Sequence, residues 1–142
     1  VYWRHQVDLI IILMHAGNEY TSLPNKQQID FAHTAIESGA DAVIGHHPHW
    51  PQSWEIYQGK PIFYSLGNLI FDQMWSKATS QGLLIRLIFN DDLSGKAEFF
   101  PIIINDYGQA KLWPDNIPTS TFWHTYNLPI PTDLFWLSPK SN

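Results

Sequence analysis

Ala42-Val43-Ile44-Gly45-His46-His47-Pro48-His49 sets three imidazoles within four residues at the end of a short apolar run. A brief β-branched run closed by a glycine is the pattern of a buried strand. In open α/β sheets, ligands bind outside the carboxyl ends of the strands, so His46, His47 and His49 are expected to emerge where a ligand would sit. Neutral imidazole is the commonest side-chain metal ligand, and the cluster is read as a metal site; a histidine-rich surface loop is the competing reading. Pro48 is expected to push His47 into an extended conformation. Side chains alternate along an extended segment, so His47 and His49 would converge on one ion while His46 faces a second ion or an outer-sphere partner.

Asp8-Leu9-Ile10-Ile11-Ile12-Leu13-Met14-His15 repeats the pattern upstream. Its hydrophobicity is continuous rather than alternating, as in a parallel strand covered on both faces. It delivers His15, then the loop Ala16-Gly17-Asn18-Glu19-Tyr20 with its carboxylate. Two strands ending in histidine should lie on one edge of a parallel sheet. Between them Asn25 is a good N-cap with Gln28 three residues on, Ile29, Ala32 and Ile36 mark a helical face beside Ala35, and Gly39 supplies the stop. Strand, helix and strand make a βαβ unit. His33 falls off the apolar stripe and is expected to face solvent.

Beyond the cluster the pattern turns to hairpins. Trp54 to Tyr57, the turn Gln58-Gly59-Lys60 and Pro61 to Ser65 form one. Its second strand runs into Leu66-Gly67-Asn68-Leu69-Ile70-Phe71-Asp72, where Asn68 could hold a ligand or cap a loop and Asp72 could act as a metal or outer-sphere carboxylate. Gly82 to Phe89 and Ala97 to Ile104 form a second hairpin across Asn90 to Gly95, whose Asp91-Asp92 tip reads as solvated charge. A short strand is expected near Ala110 to Trp113. Residues 114–142 are rich in proline and are read as an irregular tail packed on the domain of residues 1–113, with Trp123, His124 and Trp136 as packing anchors.

Composition narrows the function. The 142 residues are 44% hydrophobic and 15% aromatic, a globular composition with room for one small domain. A net charge of -5 with only 8 Lys and Arg argues against nucleic-acid binding. Cysteine is absent, which excludes disulfides and thiolate metal sites within the chain. No apolar run reaches the ~20 residues of a membrane span, and the first residues do not resemble a signal peptide. The chain opens at Val1 and enters an apolar run within eight residues, and it is expected to be a fragment lacking its N-terminal part.

Taken in order, His15-Ala16-Gly17-Asn18-Glu19-Tyr20, Gly45-His46-His47-Pro48-His49 and Tyr64-Ser65-Leu66-Gly67-Asn68-Leu69-Ile70-Phe71-Asp72 resemble the CapA family of bacterial capsule and poly-γ-glutamate synthesis proteins. That family looks like a branch of the calcineurin-like metallophosphoesterases. The resemblance implies a layered α/β metallophosphatase fold, of which this chain would be the C-terminal portion, a βαβ unit followed by β-hairpins. It also implies two divalent transition-metal ions, Mn, Fe or Zn, in the intact protein. His15 would be the lone histidine ligand, and His46 with His49, or His47 with His49, the paired ones. Glu19 is the acidic companion and His47 the candidate proton donor; these two form the candidate catalytic pair, with Asn68 and Asp72 in outer-sphere positions. Ala16 departs from the family's usual Trp, and the family's N-terminal Asp and Asn ligand motifs have no counterpart here. The implied activity is metal-dependent hydrolysis of a cell-envelope polymer such as poly-γ-glutamate, or of a phosphoester. The other class is a non-catalytic polymer-binding scaffold of a capsule synthesis or export complex. Either would sit in the cell envelope, outside the membrane and anchored by a segment not present in this chain.

Overall fold

The computed structural model describes residues 2–131 and 134–136. The chain is α/β, and two sheets and a helix form its layers. The first sheet holds β1 (Ile11–His15), β2 (Ala42–His46), β3 (Trp54–Tyr57) and β4 (Lys60–Phe63), in the order β1-β2-β4-β3. β1, β2 and β4 run parallel, and β3 closes the sheet antiparallel to β4. The turn between β3 and β4 carries Gln58 at φ 48 and Gly59 at φ 73, the two positive values that a tight hairpin turn matched to strand twist requires.

The crossover from β1 to β2 is α1 (Lys26–Glu37). Its start is as expected: the Asn25 side chain accepts from the Gln28 amide while the Gln28 side chain accepts from the Asn25 amide. Such a cap is worth about 1 kcal/mol. Gly39 leaves the helix at φ 103. The apolar face of α1, Ala32 and Ile36, packs on Met14, Val43, Ile62 and Tyr64. His33 departs from expectation. It is half-buried, stacked on Tyr57 with ring centroids 3.7 Å apart and bonded through Nε2 to Glu55 at 2.8 Å. The Tyr64 hydroxyl donates to the same carboxylate oxygen. Burial raises the Tyr64 pKa, and the Glu55 carboxylate raises it further.

The second sheet is an antiparallel run of β5 (Gln81–Phe89), β6 (Gly95–Asn105) and β7 (Gln109–Leu112), with β8 (Leu134–Trp136) paired to β6. Its inner residues, including Ile85, Leu87, Ala97 and Phe99, meet Ile44, Trp54, Ile56 and Phe63 of the first sheet. This contact explains a correction at β1. The strand begins at Ile11 rather than Asp8 and is covered on one face only, with Leu13 72% and Ile11 38% exposed. β1 is an edge strand of the first sheet, and the second sheet's core contacts fall on β2, β4 and β3.

The stretch from residue 114 is less irregular than its composition suggests. It carries α2 (Ser120–Thr125), whose Phe122 and Trp123 are buried with Tyr126 and Leu128 against Leu83. A six-residue helix is too short to show a period, so its packing, not its pattern, defines it. Trp123 and Trp136 are buried anchors, while His124 is exposed. Residues 132–133 and 137–142 of that stretch, like Val1, lie outside the described residues. Among the described residues no helix is long and apolar enough to cross a membrane.

Candidate functional site

β1 and β2 are paired in register so that His15 is the partner of His46. The parallel pairing forces both carboxyl ends to one edge. Gly45 permits the close layering behind them, since a Cβ there would lie 2.0 Å from the Tyr64 carbonyl oxygen. The two following loops are tied together by backbone bonds, Ala16 N–H to the His46 carbonyl at 3.2 Å and Tyr20 N–H to the Pro48 carbonyl at 2.8 Å. A buried pair of glutamines secures the first loop from below. Gln28 donates to Gln52 Oε1 at 2.8 Å, and Gln52 donates to the Thr21 and Leu23 carbonyls.

The second loop is not extended. His47 has φ 101 and His49 φ 61, which overturns the expectation that Pro48 would hold His47 in a regular strand conformation. Buried Pro48 and the Tyr20 bond fix the loop's path, and tertiary contacts outweigh the local preference. Simple alternation of faces therefore does not apply. His15, His46, His47 and His49 all line one cleft of about 300 Å³. The rings of His15 and His47 are 5.0 Å apart, and those of His47 and His49 are 6.3 Å apart. Burial pushes the His46 imidazole below its ordinary pKa, and the neighbouring His15 adds to the shift. A neutral ring with a free lone pair results at neutral pH.

His49 is the most constrained of the four. Its Nδ1 is 2.9 Å from Asn68 Oδ1, and its ring contacts those of Tyr20 at 5.8 Å and Phe71 at 5.1 Å. Its Nε2 is 3.9 Å from Glu19, which is about half exposed at the mouth. The wall facing the imidazoles is apolar, formed by Leu69, Ile70, Phe71 and Leu84. Asn68 is thus brought to the site, and Glu19 to its rim. Asp72 is not: it is exposed and does not line the cleft. Tyr20 and Phe71 were not singled out by the sequence. An aromatic following a His-to-Glu loop, and another immediately before Asp72, look like ordinary core material until the fold puts both against His49.

Imidazoles are suitable donors for Mn, Fe or Zn. Among the described residues, however, no group of three His, Cys, Asp or Glu side chains is arranged to hold an ion. These residues fit as contributors of imidazole, not as a closed coordination set.

Residues 3–73 match the family model described as bacterial capsule synthesis protein PGA_cap. The chain is 35% identical over 118 residues to the PGA biosynthesis protein CapA of Bacillus subtilis (strain 168), covering 83% of this chain and 31% of the relative. It is 36% identical over 103 residues to the capsule biosynthesis protein CapA of Bacillus anthracis, covering 72% and 25%. A probable polyglutamine synthesis accessory protein of Mycobacterium tuberculosis (strain CDC 1551 / Oshkosh) is 40% identical over 65 residues, covering 46% and 17%. The chain spans less than a third of the length of these curated relatives. The four histidines, Glu19, Asn68 and Asp72 all fall inside the matched residues 3–73, and with half of its length so matched the chain belongs to the bacterial capsule synthesis protein family PGA_cap.

Proposed function

We propose that this chain is part of a capsule or poly-γ-glutamate biosynthesis protein, a metal-dependent hydrolase-like enzyme acting on a cell-envelope polymer or a phosphoester. The observation that carries the reading is the meeting of His15, His46, His47 and His49 in one cleft at the carboxyl ends of two parallel strands. Those imidazoles would contribute ligands to two divalent transition-metal ions, Mn, Fe or Zn, with the remaining ligands coming from outside the described residues. When bound, the ions would supply Lewis-acid polarisation of a phosphoryl or acyl oxygen. His47 and Glu19 are the proposed proton-handling groups, one inside the cleft and one at its mouth. The apolar wall gives the approach to the imidazoles one non-polar side. The proposed location is the cell envelope, outside the membrane, with other capsule-synthesis components as partners.

A second reading, a polymer-binding scaffold without catalysis, is favoured by the open donor set and by the exposed apolar rim. Leu69 and Ile70 of the cleft wall are 49% and 73% exposed, and Trp75, in contact with Tyr20, is 63% exposed. The two separate by elemental analysis of the full-length protein, comparing wild type with a His47→Ala, His49→Ala double variant. The hydrolase reading expects about two transition-metal ions per wild-type chain and the loss of at least one in a variant that stays folded. Wild-type protein that takes up no metal under metal-replete conditions would sink it in favour of the scaffold.

A further inference from the structure

We infer that Asn68 is a positioning residue that holds His49 as its Nδ1–H tautomer, leaving the Nε2 lone pair turned toward Glu19 at the mouth of the cleft. The inference follows from the direction of two hydrogen bonds. The Thr79 carbonyl can only accept, so the Asn68 group 2.9 Å from it is the amide nitrogen. The other end of the Asn68 amide, Oδ1, then faces His49 Nδ1 at 2.9 Å and is itself only an acceptor. The hydrogen between them must belong to Nδ1, and in a neutral ring Nε2 is left bare.

This orientation is built in rather than incidental. Asn68 is only 7% exposed and Thr79 is fully buried. The loop carrying Asn68 is clamped on β5 by a bridge between Gly67 and Gly82 and by the Leu83 N–H to Leu66 carbonyl bond at 2.8 Å. Gly82 makes that approach possible, because a Cβ there would lie 1.9 Å from the Asn68 carbonyl oxygen. The stacking of Tyr20 and the tilted contact with Phe71 restrain the His49 ring.

The consequence lies at Nε2. It stands 3.9 Å from Glu19 Oε1, too far for a hydrogen bond, and with the ring neutral both atoms are acceptors. Two acceptors facing across such a gap suit a ligand that takes electron pairs from both. A divalent transition-metal ion is the chemistry that rests on the proposed function; the tautomer does not depend on it.

Long-range proton–nitrogen correlation spectra of the histidine-labelled full-length protein, recorded well above the imidazole titration range, test this directly. Wild type is expected to show His49 with a protonated Nδ1 and a bare Nε2. In Asn68→Ala the His49 signals are expected to shift toward the Nε2–H form, while those of His33, held by Glu55, stay in place. A wild-type spectrum with Nε2 protonated overturns the inference, as does an Asn68→Ala spectrum with His49 unmoved. Should that variant fail to fold, the wild-type spectrum decides alone. Zinc titration separates this inference from the metal reading: the stated tautomer with no Nε2 response to Zn²⁺ leaves the positioning role intact and removes the ion.

Discussion

His15 and His46 are register partners at the carboxyl ends of two adjacent parallel strands. The position of His47 is set one residue later, by a backbone turn at φ 101. A non-glycine residue in that region carries strain of about 1–3 kcal/mol, held in place by the surrounding structure. The strain and the imidazoles share one loop, which suggests that geometry there is kept at a cost in stability.

Replacing His47 by glycine should therefore stabilise the fold while removing an imidazole. Relief of about 1–3 kcal/mol outweighs the extra chain entropy of glycine, about 0.5–1 kcal/mol. A net gain of about 1 kcal/mol is expected in urea denaturation. A loss of the same size would show that the His47 ring contributes more by packing than its backbone costs.

Gly82→Ala should be destabilising out of proportion to its one added methyl group. The new Cβ would meet the backbone carbonyl of Asn68 at 1.9 Å, where no flexible side chain can yield. Overpacking of this kind costs about 1–3 kcal/mol. The expected signature is a lowered melting temperature together with a shifted His49 resonance, and an unchanged His49 signal would mean that the loop relaxes elsewhere.

Acid should weaken the first sheet through Asp41. This carboxylate is 3% exposed and is paired with Arg4 at 2.6 Å and Lys60 at 3.0 Å. Burial alone would raise its pKa, but the Ile10 amide, Lys60 and Arg4 outweigh burial and hold it below the ordinary 3.8. A depressed native pKa gives stability that is present above the unfolded value and lost as the pH falls through the native one. Denaturant midpoints should therefore decline below about pH 4. Asp41→Asn should shallow that decline and cost about 2–3 kcal/mol at neutral pH, since Lys60 and the partly exposed Arg4 lose their partner. Partly buried Glu98, also held low by Lys96 and Arg86, keeps some acid dependence in the variant. An acid limb identical to wild type would refute the assignment to Asp41.

Phe122→Ala should unfold more than the segment that contains it. Phe122 is fully buried and packs edge-on to Trp113 and Trp123. Truncating a buried phenylalanine costs about 3–5 kcal/mol. A cooperative drop in stability, followed by tryptophan fluorescence, would show that residues 120–126 belong to the core of the second sheet; a change below about 1 kcal/mol would make them a dispensable cover.

Local chemistry alone determined several elements of this protein. The Asn25 and Gln28 cap, the Gly39 stop, the Gln58-Gly59 turn and the runs ending in His15 and His46 each carry their signal within a few neighbouring residues. Such features survive in one dimension because they depend on backbone dihedrals, hydrogen-bond reach and hydrophobic period. The tertiary structure decided what depends on neighbours distant in sequence. Leu13 looked like a buried strand residue until β1 proved to be an edge strand, and His33 looked solvent-facing until Tyr57 and Glu55 closed on it. Asp72 ended a motif yet stayed outside the cleft, whereas Tyr20 and Phe71 stood in the motifs with no role assigned and came into contact with His49. The histidines announced a site by residue type and strand position. Which nitrogen of His49 carries the hydrogen in the tautomer inferred above depends on Thr79, thirty residues further on, because the direction of a hydrogen bond is fixed by the partner that can only accept.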